Sequence, residues 1–255
     1  MMRTLKSCFF LMFIVCPLSL HAETNKIIDL TYLFNNQTIY WPTQKGFQHQ
    51  KLFYGVIPAG FFYSAYKFCA PEHGGTHMDA PRHFFDHGWT VDQIPPSQFM
   101  GNAVVIHVDT HQKRDYAISV EDIKDFEHQH RALTDQDIVL FDTGWGKYWH
   151  NKKQYLGSDK FKDIKHLHFP GISKKAAQYL VDKKIKGVGL DTASLDPGIS
   201  RDFWAHRIIL GANIYGLENV AYLDAMPVTG AKLIVAPMKI EDGSGAPTRL
   251  YACLP

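Results

Sequence analysis

The stretch His73-Gly-Gly-Thr-His77-Met-Asp79-Ala-Pro-Arg-His83 places three imidazoles and one carboxylate within eleven residues. Together these donors suit a borderline divalent ion such as zinc, manganese or iron. All four side chains occupy odd positions, so an extended chain would turn them to one face. A straight strand would hold the backbones of His73 and His77 roughly 13 Å apart, near the limit for sharing one ion. The glycine pair between them is where the chain bends most freely.

A helix with His73 and His77 one turn apart, as in metalloprotease motifs, is the competing interpretation. Two glycines would each cost about 1 kcal/mol inside that helix, and Pro71 and Pro81 bracket the segment. Asp79 would lie about 240° around the helix from His73. We therefore reject the helix. A histidine-rich loop without an ion is the plainer alternative, but four donors spaced by loop-forming residues favour metal binding.

The first 22 residues have the pattern of an export signal. Arg3 and Lys6 precede an apolar run from Cys8 to Leu20, which is too short to span a bilayer, and Ala22 is a small residue suited to the cleavage site. An uncleaved anchor is the alternative. We predict a mature domain of residues 23–255, exported to the periplasm of a Gram-negative bacterium and without a stable membrane anchor.

The mature chain has the size of one large domain. Its charges are mixed, the formal net charge of the whole chain is +2, and no basic stripe with interleaved aromatics indicates nucleic acid as a partner. It keeps two cysteines, Cys69 and Cys253, which an oxidising compartment permits to pair. Neither has the spacing of a zinc ribbon.

Hydrophobic patterns predict a β-rich mixture with few helices. Helices are expected at about 119–128, where Ser119 begins a capping box, and at 174–184, where Ser173 can cap an apolar stripe. The fold class is therefore α/β or α+β, and no Gly-x-Gly-x-x-Gly links a strand to a helix as a dinucleotide fold requires. Strands are predicted at residues 26–33, 61–69, 103–108, 137–142, 187–192 (ending in a polar turn), 208–210 and 232–237.

Other side chains are weaker candidates when each is considered alone. His206 and Glu218 lie twelve residues apart, and a lone histidine or glutamate is more often a capping, surface or paired residue. Asp191 ends a predicted strand, where it either lines a cleft or forms an ordinary turn. Trp41 and Phe47 could belong to an aromatic wall around a substrate, although core packing is the commoner role for either ring.

These residues resemble the cyclase family of metal-dependent hydrolases, which contains bacterial kynurenine formamidases and isatin hydrolases. The family signature His-x-Gly-Thr-His-x-Asp-x-Pro-x-His is present in full at residues 73–83. The resemblance continues through residues 137–145, 170–172, 187–192, 216–220 and 236–240, and so covers nearly all of the mature chain. It implies a single swivelling β/β/α domain that assembles as a homodimer or homotetramer.

The resemblance also implies a ligand set. In the formamidase branch, His73, His77 and Asp79 would bind one ion, and Asp79 would bridge to a second ion held by His206 and Glu218. The isatin-hydrolase branch uses a single manganese, so the second ion stays open. The expected metal is zinc or manganese. His83 would be the catalytic acid and base, close to the ions without binding them.

The predicted reaction is hydrolysis of an amide C–N bond in a small aromatic molecule, an aryl formamide such as N-formylkynurenine or a lactam such as isatin. A divalent ion would activate water and polarise the carbonyl, while His83 would carry the proton to the leaving nitrogen. Thr76 would position a ligand, and Trp41 and Phe47 would contact the substrate ring. The export signal does not fit the intracellular substrate of tryptophan breakdown.

Two other classes of protein compete with this enzyme. An exported metal- or ligand-binding protein without turnover would explain the ligands, but not a non-ligand His83 beside them. A structural zinc domain fits less well because closed structural sites are usually dominated by cysteine. A serine hydrolase is disfavoured because no serine lies in a Gly-x-Ser-x-Gly elbow.

Overall fold

Strands surrounding a filled interior organise residues 26–254, the part of the chain that the computed structural model describes. The α-helices within this range are α1 Val120–Gln129, α2 Lys152–Leu156, α3 Lys174–Asp182 and α4 Trp204–Gly211. The strands are β1 Ile27–Asp29, β2 Gln48–Val56, β3 Phe62–Cys69, β4 His77–Asp79, β5 Met100–His107, β6 Ala117–Ile118, β7 Asp137–Asp142, β8 Gly171–Ile172, β9 Gly187–Leu190, β10 Tyr215–Glu218, β11 Lys232–Pro237 and β12 Gly245–Cys253.

Eight of these strands form one sheet in the order β1-β12-β11-β5-β7-β9-β10-β4. The sheet closes into a barrel because β4 also pairs with the first residues of β12, Asp79 opposite Gly245 and His77 opposite Pro247. Strands β5, β7, β9 and β10 run parallel to one another, which requires crossover connections. Helix α3 lies in the connection from β7 to β9, and α4 lies in the connection from β9 to β10.

Alternation along the central strands divides the core into two layers. In β5, Ala103 and Val105 face the barrel interior, whereas Val104 and Ile106 face outward and pack in the cluster that contains the buried residues of α1, α3 and α4. The small β4 obeys the same rule, since Met78 is fully buried in the interior cluster. His77 and Asp79, its neighbours in the strand, consequently turn to the outer side.

The predicted class, a β-rich α/β domain with few helices, is confirmed. Helix α1 begins with the expected capping box, in which Ser119 Oγ accepts from Asp122 N and the Asp122 carboxylate accepts from Ser119 N. Ser173 caps α3 by accepting from Ala176 N at 3.2 Å. Strand β7 has the predicted bounds.

Two predicted strands are corrected by the structure. Residues 208–210 belong to helix α4, whose buried residues Ala205, His206, Ile209 and Leu210 recur with helical spacing. A three-residue apolar run is too short to reveal that period. Strand β1 covers only Ile27–Asp29 of the expected 26–33, because from Tyr32 onward the chain turns to contact the motif loop.

Several remaining expectations concern the chain ends and the cysteines. The proposed signal peptide, residues 1–22, lies outside the described residues. Within residues 26–254 no helix is long and apolar enough to cross a membrane. Cys69 and Cys253 are both free thiols, the first exposed on β3 and the second on β12.

Candidate metal centre and active site

Strand β4 and its neighbour β10 bring three of the predicted ligands to one side of the barrel wall. His77 and Asp79 are two residues apart in β4 and therefore share its outer face. His77 lies directly opposite Glu218 in the antiparallel register of β4 and β10, which puts their side chains side by side. All three residues are buried.

The loop before β4 places His73 and sets the ring of His77. Gly75 has a positive φ of 61°, and a Cβ there would lie 2.7 Å from the ring of Phe34, so glycine is required on both counts. The Gly75 carbonyl accepts from His77 Nδ1 at 2.9 Å and from the Asn219 side-chain amide at 2.7 Å. With Nδ1 donating, His77 Nε2 is left to face Asp79 and Glu218.

A serine and a glutamate orient the His73 ring. Ser244 Oγ donates to Glu72 Oε2 at 2.6 Å, so the same oxygen accepts from His73 Nε2 at 3.0 Å. This leaves His73 Nδ1 pointing at Asp79 Oδ1, 2.7 Å away. The next residue along the chain, Gly245, allows this packing, because a Cβ there would lie 2.5 Å from the His73 ring. His73 would thus bind an ion through Nδ1, and His77 through Nε2.

Helix α4 supplies His206 from its first turn. Phe203, with φ of 51°, starts the helix without a side-chain cap of its own. Asp196 takes over that function by accepting from Ala205 N at 2.8 Å and His206 N at 3.1 Å, and it also accepts from His206 Nδ1 at 2.6 Å. One carboxylate therefore caps the helix and directs His206 Nε2 toward Asp79 and Glu218.

The spacing of these donors fits a divalent ion. His77 Nε2 lies 3.2 Å from Asp79 Oδ1 and 3.3 Å from Glu218 Oε2, while His206 Nε2 lies 3.2 Å from Asp79 Oδ2 and from Glu218 Oε1. Ligand atoms held tetrahedrally at about 2.0–2.1 Å from zinc would lie about 3.3–3.4 Å apart. Among the described residues, His77 Nε2 and Asp79 Oδ2 are buried side-chain atoms without a hydrogen-bond partner. A cation between them would satisfy both.

The electrostatics of the cluster point the same way. Burial disfavours a charge on His77, but the Asp79 and Glu218 carboxylates outweigh burial and raise the pKa of His77 to about 9. Burial and the nearby Asp79 charge raise the pKa of Glu218. Burial would likewise raise the pKa of Asp79, yet the neighbouring histidines hold it well below its usual value. Carboxylates that attract protons onto imidazoles in this way also attract a divalent cation, which competes with those protons.

His83 lies beside this cluster in a different environment. Pro81 begins a short 3₁₀ turn that ends at His83, and the His83 ring stacks on His73 with 3.8 Å between centroids. Burial lowers the pKa of His83 to about 4, and Asp79 opposes this shift. The ring is therefore neutral at pH 7 and able to accept a proton. One of its nitrogens also lies within 4.8 Å of donor atoms of His73 and Asp79.

A cavity of about 260 Å³ opens over the donors. Its aromatic walls are Tyr40, Trp41, Phe84 and Phe203, and its polar lining includes Gln44, Ser194, Asn219 and the site histidines. Trp41 thus lies where the sequence predicted it. The structure does not bring Phe47 to this pocket, since its ring packs on Phe34 and Phe68 with centroids 5.8 and 5.7 Å away.

Thr76 joins the two strands that carry the ligands. The residue is fully buried, its hydroxyl donates to the Asn219 carbonyl at 2.7 Å, and it accepts from Tyr32 N at 3.0 Å. Asp191, in contrast, is not among the pocket residues. It accepts from Thr143 and from the amides of Trp145 and Gly146, so it holds a loop together.

Sequence reasoning missed the residues that orient the ligands. Asp196, Ser244, Glu72 and Asn219 each hold a ligand or its loop, and Phe84 and Phe203 line the pocket. Asp196 offers a weak signal, because an Asp-Pro pair precedes a helix whose first turn lacks its own cap. Ser244 lies 171 residues from His73, and no local pattern connects the two.

Comparison with known proteins decides the family. The Cyclase family model matches residues 28–197, about two thirds of the chain. The chain belongs to the Cyclase family. An isatin hydrolase of Roseibium aggregatum is 32% identical over 195 residues, which cover 72% of each protein. A kynurenine formamidase of Bacillus anthracis is 28% identical over 233 residues, which cover 89% of this chain and 97% of that protein.

Solved structures of Cyclase family members share the fold. Isatin hydrolase A of Ralstonia solanacearum superposes with a TM-score of 0.81 at 29% identity, covering 90% of this chain and 92% of that one. The names of these relatives describe hydrolases that act on C–N bonds other than peptide bonds. At that level, the reaction class predicted from the motif is confirmed.

Proposed function

We propose that this Cyclase family protein hydrolyses the amide C–N bond of a small, neutral aryl lactam of the isatin type, with a divalent metal held by the β4 motif. The observation that carries the proposal is the pair of partnerless buried atoms, His77 Nε2 and Asp79 Oδ2, beneath an aromatic pocket. A binding protein needs the ligands but has no use for an adjacent neutral His83.

The metal site proposed here uses His73, His77 and Asp79, with zinc or manganese as the ion. The two oxygens of Asp79 face different histidines, Oδ1 facing His73 and His77 and Oδ2 facing His206. This arrangement supports a second ion bridged by Asp79 and held by His206 and Glu218. A bound divalent cation supplies Lewis acidity, which lowers the pKa of water and polarises a carbonyl group.

The chain's own residues would do the rest of the chemistry. His83, neutral at pH 7, accepts a proton from the attacking water and returns it to the leaving nitrogen. The partly buried ring of Phe84 packs against His206, with centroids 4.6 Å apart, and shields this side of the cluster from solvent. Trp41 and Phe203, whose centroids lie 6.4 Å apart, offer faces for an aromatic substrate.

The pocket favours a neutral lactam over an amino-acid substrate. Its volume of about 260 Å³ is slightly below the range of about 300–1,000 Å³ typical of pockets for drug-sized ligands, so it suits one or two rings. None of the described residues that line it is a lysine or arginine. N-formylkynurenine carries a carboxylate that would find no fixed cation there besides the metal, whereas isatin carries no charge.

The test is turnover by the metal-loaded chain. Isatin and N-formylkynurenine should be assayed side by side, with simple esters and phosphodiesters as controls. We expect a higher kcat/KM for isatin than for N-formylkynurenine, and little activity on the controls. Turnover of esters or phosphodiesters alone would contradict amide hydrolysis. Metal binding without turnover of any of these compounds would support the binding protein. A homodimer or homotetramer remains a prediction for this chain.

A further inference from the structure

Strands β2 and β3 form a hairpin that stands apart from the barrel. They make a two-stranded sheet, and within residues 26–254 neither strand pairs with any other strand. Every residue of β2 except Gly55, and every residue of β3 except Ala65, is exposed. An isolated two-stranded hairpin is at best marginally stable in water. This hairpin therefore lacks a layer to pack against.

The hairpin concentrates the exposed apolar side chains of the molecule. It carries half of the large hydrophobic residues that are exposed in the described chain. They lie on both faces, with Tyr54 and Phe62 in edge contact on one and Phe53 and Tyr63 together on the other. The nine residues of this hairpin patch are Leu52, Phe53, Tyr54, Val56, Phe61, Phe62, Tyr63, Tyr66 and Phe68.

The area of the hairpin patch matches what a protein interface needs. Since an aromatic side chain presents about 150–250 Å², nine side chains exposed between 39% and 70% leave roughly 900 Å² of apolar surface. The largest patch on a typical monomer is about 300–600 Å². A stable complex buries about 800 Å² on each partner. The patch is thus large enough to form one side of a dimer.

The charge distribution indicates which partner covers it. Residues 44–71 contain Lys45, Lys51 and Lys67 and no acidic residue, while acidic residues outnumber basic ones in the rest of the described chain. The hairpin of one copy is therefore complementary in charge to the body of another. A membrane surface would need apolar residues only at the hairpin tip, whereas here they extend along its length and over both faces.

We propose that the hairpin is an arm that packs on a second copy of this chain, and that the two copies exchange arms reciprocally. The patch then becomes part of an isologous interface, in which each copy contributes the same surface. The arm is joined to the pocket at both ends, since Gln44 precedes β2 by four residues and His73 follows β3 by four. The interface does not depend on which reaction the site performs.

The test is the mass of residues 23–255 in solution, measured by analytical ultracentrifugation over a wide range of concentrations. Phe62→Ser and Tyr54→Ser remove arm side chains that are 56% and 61% exposed. Phe161→Ser, at a phenylalanine 60% exposed outside the arm, is the matched control. We expect the wild type and the control to assemble from at least two copies, and each arm variant to associate about tenfold more weakly or worse.

Circular dichroism shows whether the variants fold, and hydrogen exchange of the wild type keeps the test valid if they do not. Backbone amides of β2 and β3 should exchange more slowly as the protein concentration rises. A wild type that stays a single copy at every concentration overturns the proposal, as do arm variants that assemble like the control. A single-copy wild type that sediments with phosphatidylglycerol vesicles through the arm would assign the patch to a membrane.

Discussion

At the scale of single residues, the site depends on which nitrogen of each histidine is kept free. His77 and His206 each use Nδ1 for a hydrogen bond within the protein, to Gly75 and Asp196, and present Nε2. His73 does the reverse, since Ser244 engages its Nε2. Hydrogen bonds from neighbouring groups therefore set the three rings before any ion arrives, which reduces the reorganisation needed for binding.

His77→Ala should abolish tight metal binding, because His77 Nε2 contacts both carboxylates of the cluster. Elemental analysis of the purified protein is the measurement, and a stoichiometry above one in the wild type would support the second ion. His107→Ala is the control, as it removes another histidine paired with an aspartate at 2.8 Å, outside the pocket. Equal metal content in His77→Ala and the wild type would remove the proposed site.

His83→Ala should retain the metal and lose on the order of 10²–10⁴ in kcat, the usual contribution of a general base. The side chain is neutral at pH 7 because its pKa is lowered to about 4, so the wild type has the base form available throughout the neutral range. His87→Ala, at an exposed histidine four residues further on, should have wild-type activity. Loss of metal together with activity in His83→Ala would make His83 a ligand.

At the scale of elements, helix α4 and its distant cap act as one unit. Asp196 satisfies two amides of the first turn and the ring of His206 with a single carboxylate. The orientation of the ligand thus depends on how the helix begins. Helix α1 has an independent capping box at Ser119 and Asp122, away from the site, and offers a comparison within the same chain.

Asp196→Ala should lower both the stability and the metal affinity. Loss of a cap costs about 0.5–2 kcal/mol, and loss of an outer partner of a ligating histidine weakens metal binding about 10–100-fold. Asp122→Ala should cost a similar amount of stability through α1 and leave metal affinity unchanged. Thermal denaturation and calorimetric titration with Mn²⁺ or Zn²⁺ separate the two effects. Equal metal affinity in both variants would show that Asp196 does not orient His206.

At the scale of the whole molecule, stability and metal binding should respond to pH in opposite directions. The pKa of His77 is raised from 6.5 to about 9. For the metal-free protein, the resulting stabilisation is fully present below about pH 6.5 and is lost as pH rises through about 9. Metal binding displaces those protons, so the affinity for metal should increase over the same range.

This trend predicts that the increase in Tm on adding Mn²⁺ or Zn²⁺ grows between pH 6.5 and pH 9, while the Tm of the chelator-treated protein falls. Thermal denaturation at a series of pH values, with chelator or with metal, measures both. In His77→Ala the dependence of the metal effect on pH should largely disappear. A metal effect that is independent of pH in the wild type would contradict the proposed competition with protons.

Export also concerns the whole molecule. We propose that the chain is cleaved near Ala22, because Arg3 and Lys6 precede an apolar run that ends at Leu20. Mass spectrometry of the protein from its native host should show a mature N-terminus close to Glu23. An intact Met1 in a cytoplasmic form would contradict export and would restore the case for an intracellular formamide substrate.

The sequence by itself determined the local features. The spacing of residues 73–83 predicted a non-helical segment, and β4 with its flanking loop has that form. Ser119 and Ser173 marked the starts of α1 and α3, and the apolar run at 137–142 marked β7. Each of these features is set by interactions between residues a few positions apart, and such interactions leave a readable pattern. The sequence also supplied the family resemblance that named all five ligand candidates.

Only the tertiary structure decided how distant segments meet. Glu218 becomes a neighbour of His77 through the register of β10 against β4, and Ser244 reaches His73 because β12 closes the barrel. Phe47 and Trp41 look alike as aromatic candidates, yet only Trp41 lines the pocket. Strand pairing, barrel closure and helix packing depend on contacts between residues tens to hundreds of positions apart. No local pattern in the sequence encodes those contacts, so the orienting residues emerged only from the folded chain.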